Sequence, residues 1–184
     1  MKKALLIFLF LLPYLAFAQK KSIDGFLDIP FGSDSATVKA TVLAKGGIRN
    51  LDTSVKNMGF SKVSLGKRLS QYLYVRLVDN KAFEAIFYFQ EGDDLLDTYN
   101  SLVTDITAVY GKPIKINNFD ELSNTMKLKK AMLGNIKIQT LWQSKNKNTI
   151  SVEINKIGQI LYLVLDYQDD ALFDVYDAKR RSDL

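Results

Sequence analysis

Two groups of acidic residues are the first candidates for chemistry in this chain. The groups are Glu91, Asp93, Asp94 and Asp97, and then Asp166, Asp169 and Asp170. Paired carboxylates about 5–10 Å apart support glycoside hydrolysis, and clustered carboxylates bind calcium. However, the spacing does not match a calcium-binding loop. Both groups also stand at expected helix starts, where carboxylates stabilise the exposed amides. We therefore interpret them as capping residues and predict no catalytic residue and no metal site.

The chain contains no cysteine and no histidine, which limits the chemistry further. Without them there is no thiolate nucleophile, no serine–histidine pair and no metal site built from nitrogen and sulfur ligands. We predict that the protein is not an enzyme and needs no cofactor. A hydrolase that uses carboxylates is the remaining enzymatic alternative.

An aromatic hairpin supplies the best candidates for binding. Residues 71–78 and 82–90 are predicted strands, and Asp79-Asn80 is a turn signal between them. Alternate strand residues share a face, and an even-numbered loop preserves that parity. One face is therefore expected to carry Tyr72, Tyr74, Arg76, Phe83, Phe87 and Phe89. The opposite face is expected to carry Leu73, Val75, Leu77, Ile86 and Tyr88.

Tyrosine and arginine dominate the energetics of protein interfaces, whereas large apolar side chains are usually buried. We expect the phenylalanines of this hairpin to pack in the core. Tyr72, Tyr74 and Arg76 are the predicted binding residues.

Trp142 is the fourth candidate binding residue and the only tryptophan. It shares its strand face with Ile136 and Ile138, which favours a position in the core. Stacking of its ring against a ligand is the alternative.

The segment 112–147 contains eight lysines and only two acidic residues. The simplest interpretation is that these lysines form a solvated surface. The more specific alternative is that they attract anionic lipid or polysaccharide. Binding of nucleic acid is not expected, because no aromatic residues are interleaved with these lysines.

The elements that must position these residues are helices and antiparallel strands. Helices are predicted at about 34–45, with Ser33 as the cap, and at 94–110 and 171–181; strands are predicted at 26–32, 60–65, 71–78, 82–90, 136–143, 149–155 and 159–167. Residues 114–135 are ambiguous, with a strand and a short helix over 121–132 as the preferred interpretation. The strand 159–167 is apolar on both faces and should be central.

This order predicts an α+β fold, with an antiparallel sheet or sheets and helices on one face. One helix followed by three strands occurs twice, which suggests two structural repeats, 24–92 and 93–184, within a single domain spanning 19–184. Since neither set of strands covers both of its faces alone, we expect the halves to share one sheet or to pack side by side.

Residues 1–18 have the pattern of a secretory signal peptide. Lys2 and Lys3 precede an apolar run, and Ala16-Phe17-Ala18 is a typical cleavage site. Cleavage lowers the formal charge from +5 to +3 and leaves no long apolar segment. We predict a periplasmic or secreted protein, and the absence of cysteine excludes lipid attachment through a lipoprotein cysteine.

Several short motifs resemble a class of exported bacterial proteins of unassigned function: Ile29-Pro30-Phe31-Gly32-Ser33 with Val38 and Gly46, then Tyr110-Gly111-Lys112-Pro113 and Trp142. The helix-plus-meander unit is similar to that of the BamE/SmpA envelope proteins and, when doubled, to the beta-lactamase inhibitor protein. This resemblance implies a protein-binding scaffold without catalysis. The chain lacks the lipid-attachment cysteine of the BamE type.

These observations predict an exported, non-enzymatic module that binds another envelope or extracellular protein. An envelope module that binds lipid or glycan is the first alternative, and the carboxylate hydrolase is the second.

Overall fold

The computed structural model describes residues 21–50, 57–89 and 94–182. The predicted signal peptide and the acidic residues Glu91 and Asp93 lie outside these ranges. The helices are α1 (Ser35–Ala44), α2 (Leu95–Tyr110), α3 (Asn124–Met132) and α4 (Asp170–Ser182). The strands are β1 (Gly25–Phe26), β2 (Ile29–Pro30), β3 (Ile48–Arg49), β4 (Asn57–Leu65), β5 (Arg68–Val78), β6 (Lys81–Phe89), β7 (Lys115–Asn117), β8 (Ile138–Gln143), β9 (Thr149–Ile157) and β10 (Ile160–Gln168).

Capping residues define the ends of α1. Asp34 is its N-cap, and the side-chain oxygen accepts a hydrogen bond of 2.7 Å from the Thr37 amide. That bond lowers the pKa of Asp34, because it favours the ionised carboxylate. Ser33, which was the predicted cap, instead donates its hydroxyl to the Pro30 carbonyl. Gly46 follows the helix with φ +85°, a conformation that costs glycine little.

The amphipathic pattern of 94–110 forms α2 as predicted. Its buried residues recur at helical spacing on one side: Leu95, Leu96, Tyr99, Leu102 and Ile106. Gly111 follows it, and its amide donates to the Thr107 carbonyl. The buried side of α2 packs against β9 and β10.

The α+β antiparallel fold is confirmed, and the two halves share one sheet. Within the described residues, its eight strands lie in the order β3-β4-β5-β6-β10-β9-β8-β7, beside a small sheet of β1 and β2. The last strand of each half is central, because β10 pairs with β6 along residues 163–168 of β10. The prediction that 159–167 forms a central strand is therefore also confirmed. The short edge strands β3 and β7 make each half a four-stranded meander rather than the expected three-stranded one.

The main core lies between this sheet and the helices α1, α2 and α3. Residues from both halves meet in it, including Val42, Phe60, Phe87, Tyr99 and Trp142. Burial of each large apolar side chain contributes about 1.5–3 kcal/mol relative to exposure. We call this side of the sheet the core face and the opposite side the outer face.

A β-bulge at Phe83 changes the register of the hairpin that β5 and β6 form. Next to the turn, Leu77 lies opposite Ala82, whereas Arg76 lies opposite Glu84. Phe83 is therefore an extra residue on β6. In a bulge, the extra residue and its neighbour both point to the side of the residue that they oppose. Phe83 and Glu84 consequently face outward together with Arg76.

The predicted faces of β6 were wrong beyond this bulge. Tyr72 lies opposite Tyr88, and Leu73 lies opposite Phe87. One inserted residue reverses the face to which each following side chain points. Phe87 and Phe89 therefore enter the core, as expected of phenylalanines, but on the face away from Tyr72.

The helix α4 departs from the prediction that the helices lie on one face. Phe173 and Tyr176 of α4 contact Phe83, with ring centroids 6.4 and 5.0 Å from it. Lys179 of α4 also forms an ion pair with Asp79 in the hairpin turn. The bulge turns Phe83 outward, and this apolar anchor holds α4 against one end of the outer face.

Candidate functional site

The outer face presents three rows of side chains that cross the sheet from β5 to β9. The first row is Arg76, Glu84, Gln168 and Thr149; the second is Tyr74, Ile86, Asp166 and Ser151; the third is Tyr72, Tyr88, Val164 and Glu153. Side chains that are directly opposite or diagonal on one face interact. The rows therefore bring aromatic and acidic residues from distant parts of the chain together.

Four tyrosines form a continuous series across β5, β6 and β10, which we call the tyrosine ladder: Tyr72, Tyr74, Tyr88 and Tyr162. The ring centroids are 6.4 Å apart for Tyr72 and Tyr74, 5.7 Å for Tyr74 and Tyr88, and 6.1 Å for Tyr88 and Tyr162. The last two contacts are edge-to-face, with interplanar angles of 86°. Tyr74 is 38% exposed, and the other three are partly exposed.

Three carboxylates lie beside this ladder, and two of them have a cationic partner. Arg76 Nη1 lies 2.9 Å from Glu84 Oε2, and Glu84 is buried at 5% exposure. Lys137 Nζ lies 2.6 Å from Glu153 Oε2. The third carboxylate, Asp166, occupies the middle row with Ile86 on one side and Ser151 on the other.

Asp166 is held in an environment that disfavours its charge. Burial raises its pKa well above the ordinary value, and the nearby carboxylates Glu84 and Glu153 raise it further, while Arg76 opposes them. Its Oδ1 atom is buried and has no hydrogen-bond partner. Burial also raises the pKa of Glu84, against the attraction of Arg76.

The same charged groups also change the pKa of the Tyr88 hydroxyl. Its pKa is raised first by burial and then by the charge of Asp166, Arg76 lowers it, and Glu84 and Tyr74 raise it to a smaller extent. This response connects the ladder electrostatically to the carboxylates. The tyrosine rings and the acidic side chains therefore form one surface.

The structure brings Tyr72, Tyr74 and Arg76 together on the outer face and leaves Trp142 elsewhere. Trp142 is 2% exposed within the core, where its Nε1 donates a hydrogen bond of 2.9 Å to the Gly111 carbonyl. Its position in the core agrees with the interpretation from its strand face. It is not part of the surface that carries the other three candidates.

Sequence reasoning missed Glu84, Tyr88, Glu153 and Tyr162 as neighbours of the predicted site. Glu84 was detectable as the single charged residue within the apolar run 82–89, because such a residue is seldom buried without a partner. Tyr88 was assigned to the opposite face because the bulge was not anticipated.

Some residues of the two acidic groups cap helices, whereas Asp166 lies within a strand. Asp169 Oδ1 accepts a hydrogen bond of 2.8 Å from the Leu172 amide at the start of α4. Asp94 is the N-cap of α2, although its side chain makes no capping bond. The interpretation of Asp166 as a capping residue was wrong, since it lies within β10 and faces outward.

A separate cleft of about 560 Å³ lies near the β1–β2 sheet, the turn after β4 and α2. Phe26, Leu65 and Ile106 are among its apolar lining residues. Its rim charges include two internal ion pairs, Lys45 with Asp28 at 2.8 Å and Arg68 with Asp105 at 2.7 Å. Because these charged side chains are already paired, they are less available to a ligand than the unpaired carboxyl group of Asp166 on the outer face.

The lysine-rich segment also carries exposed apolar side chains. Ile114, Ile116, Met126 and Leu133 are 59, 55, 43 and 64% exposed. Within the same segment Lys127 pairs with Asp120 at 3.4 Å. Exposed apolar residues therefore lie among the lysines of this segment.

Among the described residues, no three acidic side chains are grouped so that they could hold a metal ion. None of the helices in the described ranges has the length and apolar character that a membrane span requires. No protein-family model matches the chain, and no curated protein and no solved structure matches it at a significant level.

Proposed function

We propose that the protein is an exported, non-enzymatic module that binds another protein through the tyrosine ladder on its outer face. The observation that carries the proposal is the ladder itself: four tyrosines in contact across three strands, each at least partly exposed. Tyrosine offers a large rigid contact area with little loss of side-chain entropy, and it is enriched in the hot spots of protein interfaces.

The orientation of the rings favours a protein partner over a flat sugar surface. Tyr88 stands edge-to-face to both Tyr74 and Tyr162. A sugar ring stacks against a ring face, and perpendicular rings present no common plane for several such contacts. Tyrosine combines an apolar ring with a polar hydroxyl, a combination that is enriched at protein interfaces.

The envelope location and the absence of catalysis rest on other observations. The predicted signal peptide supports export, and the lack of histidine and cysteine removes the commonest catalytic groups. The resemblance to BamE/SmpA-like and inhibitor-like domains agrees with a scaffold role.

A pull-down with chemical crosslinking from a cell-envelope extract tests the proposal. The bait is residues 19–184, compared with a Tyr72→Ala/Tyr74→Ala variant whose fold is verified by circular dichroism. The matched control replaces two exposed apolar residues elsewhere, Met126→Ala/Leu133→Ala. We expect one protein to be enriched by the wild type and by the control variant and lost with the tyrosine variant. Equal enrichment by all three baits would contradict the assignment of this surface.

A module that binds anionic lipid or glycan through segment 112–147 is the second candidate, since exposed apolar residues lie among its lysines. Such surfaces attract anionic membranes through charge and insert apolar side chains. Sedimentation with vesicles that contain anionic lipid distinguishes the two functions. The Met126→Ala/Leu133→Ala variant should then lose binding, and the tyrosine variant should keep it. High salt should also weaken the charge-driven part.

A further inference from the structure

Asp166 is the one carboxylate of the outer-face group for which the described residues supply no ion-pair partner. Arg76 is engaged with Glu84, and Lys137 is engaged with Glu153. Asp166 lies in the middle row of the outer face, and Glu84 and Glu153 lie in the rows on either side of it. The fold therefore brings three carboxyl groups together but supplies a cationic partner to only two of them.

A buried carboxyl atom without a partner destabilises the protein. Asp166 Oδ1 is buried and accepts no hydrogen bond, and burial of an unpaired polar group costs free energy. An apolar residue at this position would pack better beside Ile86 and Val164. Local features that reduce stability without a structural benefit occur mainly at functional sites.

The aromatic surroundings of Asp166 favour a cation as the missing partner. Tyr88 lies diagonally across the β6–β10 pairing from Asp166, and Tyr74 lies in the same row beyond Ile86. The faces of aromatic rings attract ammonium and guanidinium groups, and a carboxylate beside such rings adds a charge-assisted hydrogen bond.

We infer that Asp166, Tyr74 and Tyr88 form a subsite for a cationic side chain, lysine or arginine, that the partner protein inserts into the outer face. This inference rests on the proposed function, because the tyrosine ladder supplies the surrounding contact area. It specifies the chemistry of the partner: a basic residue projecting from an apolar or aromatic surface. The subsite completes the charge pairing that the fold leaves open.

Nuclear magnetic resonance with defined probes tests the subsite without the natural partner. The probes are N-acetyl-lysine methylamide, N-acetyl-arginine methylamide and the uncharged N-acetyl-norleucine methylamide, added to isotope-labelled residues 19–184. We expect at least one cationic probe to shift the carboxyl carbon resonance of Asp166 and the amide resonance of Tyr88 saturably. The norleucine probe should not produce these shifts.

Two variants separate the carboxylate from general effects of charge. Asp166→Asn should weaken binding of the cationic probe about tenfold, since one charge-assisted contact is lost. Asp174→Asn, at an exposed position on α4, should leave it unchanged. Absence of any saturable shift, equal binding of norleucine, or equal affinity in Asp166→Asn would overturn the inference. A matching response to Mg²⁺ or Ca²⁺ would overturn it as well.

The same variants distinguish failure of the inference from failure of the proposed function. A protein captured through the tyrosines but retained equally by the Asp166→Asn bait would overturn only the cationic subsite. A cationic probe that binds at Asp166 while the pull-down ignores the tyrosines would overturn only the ladder as a protein-binding surface.

Discussion

Asp166 occupies the centre of the outer face, where its neighbours oppose ionisation. Burial disfavours its negative charge most, Glu84 from β6 and Glu153 from β9 disfavour it further, and Arg76 from β5 favours it. The folded protein therefore binds this proton more tightly than the unfolded chain does. Ionisation of Asp166 consequently reduces the free energy of unfolding as the pH rises.

The variant Asp166→Asn should be more stable than the wild type at pH 7. The cost of the wild-type carboxyl is absent below the unfolded-state pKa and grows as the pH rises through the interval up to the raised pKa, so the two proteins should be equally stable near pH 3. Each pKa unit of displacement corresponds to about 1.4 kcal/mol. Urea unfolding at both pH values measures the difference. Asp174→Asn is the control, with little change expected at either pH, and a destabilised Asp166→Asn at pH 7 would contradict this account.

Trp142 should behave as a core residue and not as a binding residue. Trp142→Phe removes the donor to the Gly111 carbonyl and leaves a partly filled space. We expect a loss of about 1–3 kcal/mol in the free energy of unfolding. Denaturation followed by circular dichroism measures it, and capture of the ladder partner should not change. Unchanged stability together with lost capture would instead assign Trp142 to the binding site.

At the scale of elements, the bulge in β6 links the sheet to α4. The extra residue turns Phe83 toward the outer face, and Phe173 and Tyr176 pack on its ring. None of the residues of α4 is fully buried. The helix is therefore held mainly by partly buried contacts with β5 and β6, including those with Phe83, by the ion pair between Lys179 and Asp79, and by the hydrogen bond from the Asp170 amide to Asn148.

Phe83→Ala should release α4 while leaving the sheet folded. Truncation of a buried phenylalanine removes about 3–5 kcal/mol of packing energy, and elements with few buried contacts open locally. Hydrogen exchange should then accelerate in residues 170–182 and remain slow in β9. Phe87→Ala, which alters the main core, should accelerate exchange in both regions. Retained protection of α4 in Phe83→Ala would mean that other contacts hold this helix.

At the scale of the whole molecule, the two meanders join to form one continuous sheet. β6 and β10 meet at the centre of one sheet, and both halves contribute helical residues to the same core. Separation of the halves would expose the backbone groups of both central strands and the apolar core face. The repeats 24–92 and 93–184 are therefore expected to be structural units and not independent domains.

Fragments 19–92 and 93–184 should be unfolded when they are expressed separately and should fold when they are mixed. The paired central strands and the shared core exist only in the complex, because backbone donors and apolar side chains from both fragments are needed. Circular dichroism of each fragment and of the equimolar mixture measures the effect. Cooperative unfolding of either fragment alone would show that the half is an independent domain.

Local patterns were sufficient to predict most helices and strands. The spacing of apolar residues in α2, the turn at Asp79-Asn80 and the two-sided apolar character of β10 each depend on neighbouring residues only. These features led to the α+β class, the central position of β10 and the candidate residues Tyr72, Tyr74 and Arg76. The same patterns left open whether the halves share a sheet.

The composition of the candidate site depended on contacts between distant residues. The bulge at Phe83 interrupts the regular pairing of β6, and Phe83 packs against α4, which lies about ninety positions later in the chain. The bulge also determines which face of the sheet Tyr88 occupies. Likewise, Glu84, Glu153 and Asp166 become neighbours only through the pairing of β6, β10 and β9. Periodicity describes how a segment folds locally, whereas register and pairing arise from long-range packing energies that a single segment does not contain.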